Sequence, residues 1–194
     1  MKTRDSGMPD EELWASFFQP EAILYRLGLR NLTGDVVEFG CGYGTFTLPA
    51  AARTTGIVHA FDIEPDMVAL VEAKAKAVSI GNIRPLLRDF VTEGTGLGSE
   101  TADYVMLFNI LHAVESPAML AEAIRVLRPG GLLGVIHWSY DERTPRGPTM
   151  DIRPRPEQCR DWAIRAGFRL LPPGIIDLPP YHYGMAFTKS APQS

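Results

Sequence analysis

A short β-branched and aromatic run, Asp35-Val-Val-Glu-Phe39, breaks into three alternating glycines, Gly40, Gly42 and Gly44, ahead of a helical stretch through Leu48 and Ala50 to Arg53. A strand that ends in bare backbone and then turns into a helix restricts the fold strongly. The glycines let a ligand lie against main chain, and the helix N-terminus aims free N–H groups at it. In open α/β sheets ligands bind at this place, beyond the carboxyl ends of the strands.

The rest of the 194 residues continues the alternation. Gly56 to Phe61 reads as a second strand, and Pro65 opens a helix running to about Val78. Ile83 to Leu87 is a third strand despite Pro85, and the glycine-rich piece Thr92 to Ser99 is loop. Ala102 to Phe108 is almost wholly apolar, as a parallel strand covered on both faces should be. A helix from Ser116-Pro117 is expected to end at Leu127-Arg-Pro-Gly-Gly131, before a fifth strand, Leu132 to Ile136. Pro156 to Ala166 is a helix closed by Gly167. Two β segments finish the chain, Phe168–Ile176 and His182–Thr188, with no helix between them to prevent antiparallel pairing. The pattern predicts an α/β fold with a doubly wound, mostly parallel sheet. Ahead of it, residues 10–29 show helical spacing interrupted at Pro20.

Composition narrows the function. Hydrophobic residues at 45% and charged residues at 22% fit a single globular domain spanning residues 1–194. No stretch of about 18 residues stays apolar, and the N-terminal residues lack a signal-peptide core, so a cytoplasmic address with no membrane span is expected. A net charge of −4 argues against a nucleic-acid partner. The densest basic run, Arg143 to Arg169, follows Asp141 and Glu142 and is interrupted by Asp151, Glu157 and Asp161, as on a solvated face; recognition of an anionic small substrate is the sharper alternative. Cys41 and Cys159 read as reduced thiols, and with four scattered histidines they make no metal site.

The ligand class follows from the acidic residues. Glu38 puts a carboxylate at the first strand's end, which repels a pyrophosphate and suits an ammonium or sulfonium. The nicotinamide fingerprint G-x-G-x-x-G/A also fails, because its last position is Thr45. Asp62, ending the second strand, can accept both hydroxyls of a ribose or cap the Pro65 helix, for which Glu64 is also placed. Asp89 and Phe90 follow the third strand, where they can meet an adenine edge or form a capped turn.

Together, the glycines after an acidic strand end, Asp62, Asp89 and Leu127-Arg-Pro-Gly-Gly131 resemble the class I S-adenosylmethionine (SAM) dependent methyltransferases, over roughly Leu32 to Lys189. The likeness is to the small-molecule type that includes ubiquinone and menaquinone C-methyltransferases. It implies a Rossmann-like seven-stranded sheet of order 3-2-1-4-5-7-6 with the last strand antiparallel, SAM as cofactor, and a small-molecule methyl acceptor. It further implies that Glu38 lies near the methionine ammonium, that Gly40, Gly42 and Gly44 line methionine and ribose, and that Asp62 holds the ribose hydroxyls with Ile63 against adenine. Asp89 and Phe90 would frame the adenine, and Asn109 would approach the methionine end.

His112 and His137 lie just past central strand ends, where a substrate would sit, and are the candidate general bases; packing is the alternative for both. His59, inside the second strand, reads as structural. Trp138 is a candidate substrate wall, and Tyr181, His182 and Tyr183 could contribute. Asp177-Leu-Pro-Pro-Tyr181 superficially matches the D-P-P-Y tetrad of DNA amino-methyltransferases. It carries an inserted Leu and lies in the terminal hairpin, so it reads as a turn. Residues 1–30 and the insert 139–155 are expected to form the variable cap, closing over the rim when ligand binds. Two rival functions are a nicotinamide oxidoreductase and a SAM-binding protein that transfers no methyl group.

Overall fold

A computed structural model describes residues 8–112 and 116–190. Two helices come first, α1 (Glu11–Ser16) and α2 (Pro20–Arg26). Asp10 caps α1 by accepting from the Leu13 N–H at 3.0 Å. Pro20 opens α2, where its missing N–H is no loss. Strands and helices then alternate as β1 (Asp35–Phe39), α3 (Thr47–Ala51), β2 (Val58–Asp62), α4 (Pro65–Ala77), β3 (Ile83–Leu87), α5 (Phe90–Glu93), β4 (Ala102–Phe108), α6 (Ser116–Val126), β5 (Leu127–Trp138) and α7 (Pro156–Arg165). Three strands close the fold: β6 (Phe168–Leu170), β7 (Ile176–Leu178) and β8 (His182–Lys189).

The sheet runs β3-β2-β1-β4-β5-β8-β6, with β7 also paired to β8. The five strands β3 to β5 are mutually parallel, and β8 is antiparallel to β5, β6 and β7. This is the expected order with one strand more than the expected seven. The segment 168–176 does not form one strand, because Pro172 and Pro173 have no N–H for a ladder. It breaks there, and Ile176–Leu178 pairs separately as β7.

Two other boundaries moved. Residues 127–131 belong to β5 rather than to a helix end, since Leu127 already pairs with Ala102 of β4. The loop expected from Thr92 begins instead inside a helical turn, α5, which Asp89 caps by accepting from Val91 N at 3.2 Å and Thr92 N at 3.3 Å.

Every residue of β4 is buried, consistent with its apolar run. One face of the sheet packs Tyr104, Met106 and Ile136 against Leu24 and Leu27 of the α2 region, Ala50 of α3 and Val71 of α4. The other packs Val105, Leu107 and Val135 against Leu120 and Ala123 of α6 and Cys159 and Ala163 of α7. Leu24 and Leu27 are fully buried, so truncating either to Ala should cost about 2–5 kcal/mol. The buried Tyr104 hydroxyl donates to the Leu27 carbonyl at 3.0 Å, which ties this segment to the sheet. Thus α2 is packed into the core on this face of the sheet. Among the described residues no helix is long and apolar enough to cross a membrane, and no group of three or more His, Cys, Asp or Glu side chains could hold a metal ion.

Candidate functional site

The glycine loop emerges from β1 at the carboxyl end of the parallel strands. Gly40 N and Cys41 N both donate to the Phe61 carbonyl at 2.9 Å, which folds the loop over the end of β2. Gly42 has φ +48°, and a Cβ built there would lie 3.1 Å from the Met8 sulfur. Gly44 has φ +76°, and its Cβ would meet Leu48 Cδ1 of α3 at 2.8 Å and Val71 Cγ2 of α4 at 3.1 Å. Gly44 therefore lets two helices close on the loop, whereas the missing side chain of Gly42 makes room for Met8.

Two carboxylates flank this loop. Asp62 Oδ2 accepts the Gly42 N–H at 2.8 Å and Oδ1 accepts the Glu64 N–H at 3.0 Å. Burial raises the Asp62 pKa, opposed by the N–H groups of Glu64 and Gly42. Glu38 is only 3% exposed, and its Oε2 accepts the Thr47 hydroxyl at 2.5 Å. Burial pushes its carboxyl up to about 8, against the Thr47 hydrogen bond and with help from the Asp62 charge. Two acids buried side by side, one of them forced toward its neutral form, make a place where a cation lowers the energy.

The remaining cofactor candidates fall around the same rim. Ile63 stays 38% exposed beside Asp62. Asp89 performs the capping role described above, and Phe90 packs edge-on to Phe39, ring centroids 4.9 Å apart. Asn109 follows β4 with φ +59°, a conformation Asn adopts more readily than most residues. Its backbone N–H donates to Ile136 O at 2.8 Å. Its side-chain amide is buried, and neither Oδ1 nor Nδ2 has a hydrogen-bond partner among the described residues.

His112 and His137 are brought together, although 25 residues separate them. His137 is fully buried at the end of β5. Its Nε2 lies 3.4 Å from His112 Nδ1 and its Nδ1 3.4 Å from the Trp138 carbonyl. Burial lowers the pKa of both rings, that of His137 the more, and for His137 the neighbouring His112 adds to the effect. His59 instead pairs with Asp35, Nε2 to Oδ2 at 3.1 Å, the structural role expected of it.

Trp138 is buried at the end of β5. It stands among Trp14, Phe17, Tyr181 and His182 on the α2 face of the rim. The insert 139–155 is wound around Arg153, which is 7% exposed. That guanidinium donates to the carbonyls of Ser139 (3.1 Å), Asp141 (3.0 Å), Arg146 (3.2 Å) and Pro148 (2.7 and 2.9 Å) and to the Thr144 hydroxyl (2.5 Å). The tetrad-like Asp177–Tyr181 forms part of β7 and the turn into β8; Arg26 donates to the Asp177 carbonyl at 2.7 Å.

No motif marks Thr47, Met8 or Phe46, which the fold brings to this rim. Thr47 opens α3 nine residues after Glu38, a spacing that hints at a helix start facing its own strand's end. Nothing in the sequence marks Met8 as lying over Gly42. Phe46 joins the aromatic wall to the glycine loop through Phe18 (5.2 Å) and Phe108 (4.8 Å).

These features fit SAM. A cation would relieve the buried Glu38–Asp62 pair, and the unpartnered Asn109 amide offers donors and an acceptor.

Comparison with known proteins agrees. A family described as a methyltransferase domain matches residues 36–131. Aklanonic acid methyltransferase DauC of Streptomyces sp. (strain C5) is 28% identical over 146 residues, 69% of this chain. The chain spans 66% of DauC's length. A SAM dependent methyltransferase from Aquifex aeolicus has the same fold, with TM-score 0.81 and 23% identity over 93% of this chain and 94% of its own. The [4+2]-cyclase SpnF shares it with TM-score 0.76 and 16% identity over 96% of this chain and 84% of its own. In its matched domain, residues 36–131, and in the order of its sheet, the chain resembles the class I SAM-dependent methyltransferases.

Proposed function

We propose that this chain transfers a methyl group from SAM to a small-molecule acceptor. The observation that carries the reading is the buried pair Glu38 and Asp62 beside the glycine loop, with Asp62 accepting the Gly42 N–H. Glu38 would hold the cofactor's ammonium, Asp62 its ribose hydroxyls and Asn109 its methionine end, with Ile63, Asp89 and Phe90 around the adenine. When bound, SAM supplies an electrophilic methyl group, so the protein's main task is to orient a nucleophile and exclude water.

The two histidines suit an acceptor that arrives protonated. With His137 Nδ1–H donating to the Trp138 carbonyl, its Nε2 accepts from His112 Nδ1–H, and the free lone pair of His112 sits on Nε2. Kept neutral by burial, His112 accepts the acceptor's proton there. His112→Ala should then lower kcat by about 10²- to 10⁴-fold with cofactor affinity unchanged. An unaltered kcat would leave His112 a packing residue.

A second reading, a SAM-binding protein without transfer, rests on the fold's being shared with a cyclase. Methyl-labelled SAM incubated with a fractionated metabolite extract separates the two. Labelled product with S-adenosylhomocysteine (SAH) supports transfer. Tight binding without turnover supports the second reading, and no binding at all removes both.

A further inference from the structure

We infer that the acceptor is a planar aromatic molecule carrying a hydroxyl group, and that His182 recognises the hydroxyl; this rests on the methyltransferase reading above. Rings from four separate stretches of chain converge on one side of the strand rim. Trp14 comes from α1, Phe17 and Phe18 from the turn between α1 and α2, Phe46 from just before α3, Trp138 from the end of β5, and Tyr181 and His182 from the turn into β8 and its first residue. Phe17 stands edge-on to Trp138 at 5.4 Å and to Tyr181 at 5.8 Å, and Trp138 and Tyr181 lie within 25° of parallel. Such a lining favours the faces and edges of flat π-systems.

Within this lining sits one polar group with no partner. His182 is 1% exposed and held between the rings of Phe18 (4.5 Å) and Trp138 (4.3 Å). Neither of its ring nitrogens has a hydrogen-bond partner among the described residues. An apolar side chain would fill this space without stranding two polar atoms, so the imidazole is unaccounted for by packing. Burial, aided by the charge of Arg153, keeps it neutral. A neutral imidazole keeps one nitrogen able to accept, and the complement is an O–H donor on the ligand.

Arg153, whose charge acts on His182, spends its donors on the insert's carbonyls and the Thr144 hydroxyl. Helix α1 forms one side of this cluster. It buries none of its own residues, yet its Trp14 reaches Phe18 (5.0 Å) and Trp138 (6.3 Å). Displacing Trp14 would open the seat without touching the core leucines of the α2 region. Phe46, two residues beyond Gly44, sets the seat beside the cofactor loop.

The test is calorimetric titration of the whole chain with three probes. These are 2-naphthol, 2-methylnaphthalene, which lacks the hydroxyl, and trans-decahydro-2-naphthol, which is not flat. SAH binding is measured separately, so failure of the cofactor reading shows there and not in the probe series. We expect 2-naphthol to bind at least about tenfold more tightly than 2-methylnaphthalene, the factor that one hydrogen bond supplies, and more tightly than trans-decahydro-2-naphthol, which lacks the π faces. In His182→Phe, 2-naphthol should bind no better than 2-methylnaphthalene. His182→Gln, which keeps a polar group, should retain part of the preference and checks that any loss is not misfolding. Equal binding of 2-naphthol and 2-methylnaphthalene, a preference that survives in His182→Phe, or no binding of any probe overturns the inference.

Discussion

Asp62 accepts the backbone N–H of Gly42 at 2.8 Å, so the residue proposed to bind the ribose also anchors the loop beneath it. Ligand contact and loop shape are therefore coupled. Asp62→Ala should weaken SAH binding by at least roughly tenfold while leaving the circular dichroism spectrum intact, since hydrogen bonds to a charged acceptor are worth about 1.5–3 kcal/mol each. Unchanged affinity by calorimetry would move the ribose contact elsewhere.

Glu38 gives a pH signature. Its carboxyl rises from 4.5 to about 8 on folding, so the folded state holds the extra proton between those values. An ammonium beside it favours the ionised form and expels that proton. SAH affinity should accordingly climb as pH rises toward 8, and the binding enthalpy should vary with buffer ionisation heat below that pH. A flat profile from pH 6 to 8 would place the ammonium away from Glu38.

The same carboxyl penalises the ligand-free fold. A folded pKa above the unfolded one means that stability is lost as pH rises from about 4.5 to 8. Glu38→Gln should match the parent melting temperature near pH 5 and exceed it by on the order of 5 °C at pH 8. It should also bind SAH at least about tenfold more weakly. A variant that is less stable at pH 8 would show that ionised Glu38 is already compensated.

Gly42→Val places a branched side chain where Met8 now touches the loop. Pairing it with Met8→Ala removes that clash but leaves the obstruction to a ligand. The double variant should be folded and still fail to bind SAH. Normal binding would mean that the cofactor does not cross Gly42.

Hydrogen exchange should separate the two cap segments. Helix α1 is held from outside, by the Glu11 ion pair to Lys74 and by Trp14, whereas the insert is bound internally through Arg153. Adding SAH should raise protection across residues 8–16 and leave residues 139–153 unchanged. Equal changes in both would restore a cap that closes as one.

What could be read from the chain beforehand depended on how local its cause was. The strand through Val105 and Leu107 announced itself because both faces of β4 are covered, and the glycine loop because its conformation is written in Gly40, Gly42 and Gly44. Strands β6 and β7 are three residues each and exist only through β8, so no periodicity could mark their limits. Asp89 could be foreseen at a turn or at an adenine, and the structure displays its capping bonds. The His112–His137 contact, the Thr47 hydroxyl on Glu38 and the winding of the insert on Arg153 all need the tertiary fold, and the sequence had no means of showing them.

The antiparallel placement of β8 bears on the order in which the molecule matures. The glycine loop and its anchor Asp62 depend on β1, β2 and the neighbouring β4, all within residues 35–108. The aromatic wall requires Trp138 to meet His182 across β5 and β8, and Phe17 and Phe18 to wait for both. A chain emerging from the ribosome folds from its N-terminal side first. It would thus complete the proposed cofactor seat while the opposite wall is still being translated, and on that proposal it holds a methyl donor before an acceptor has a place to dock.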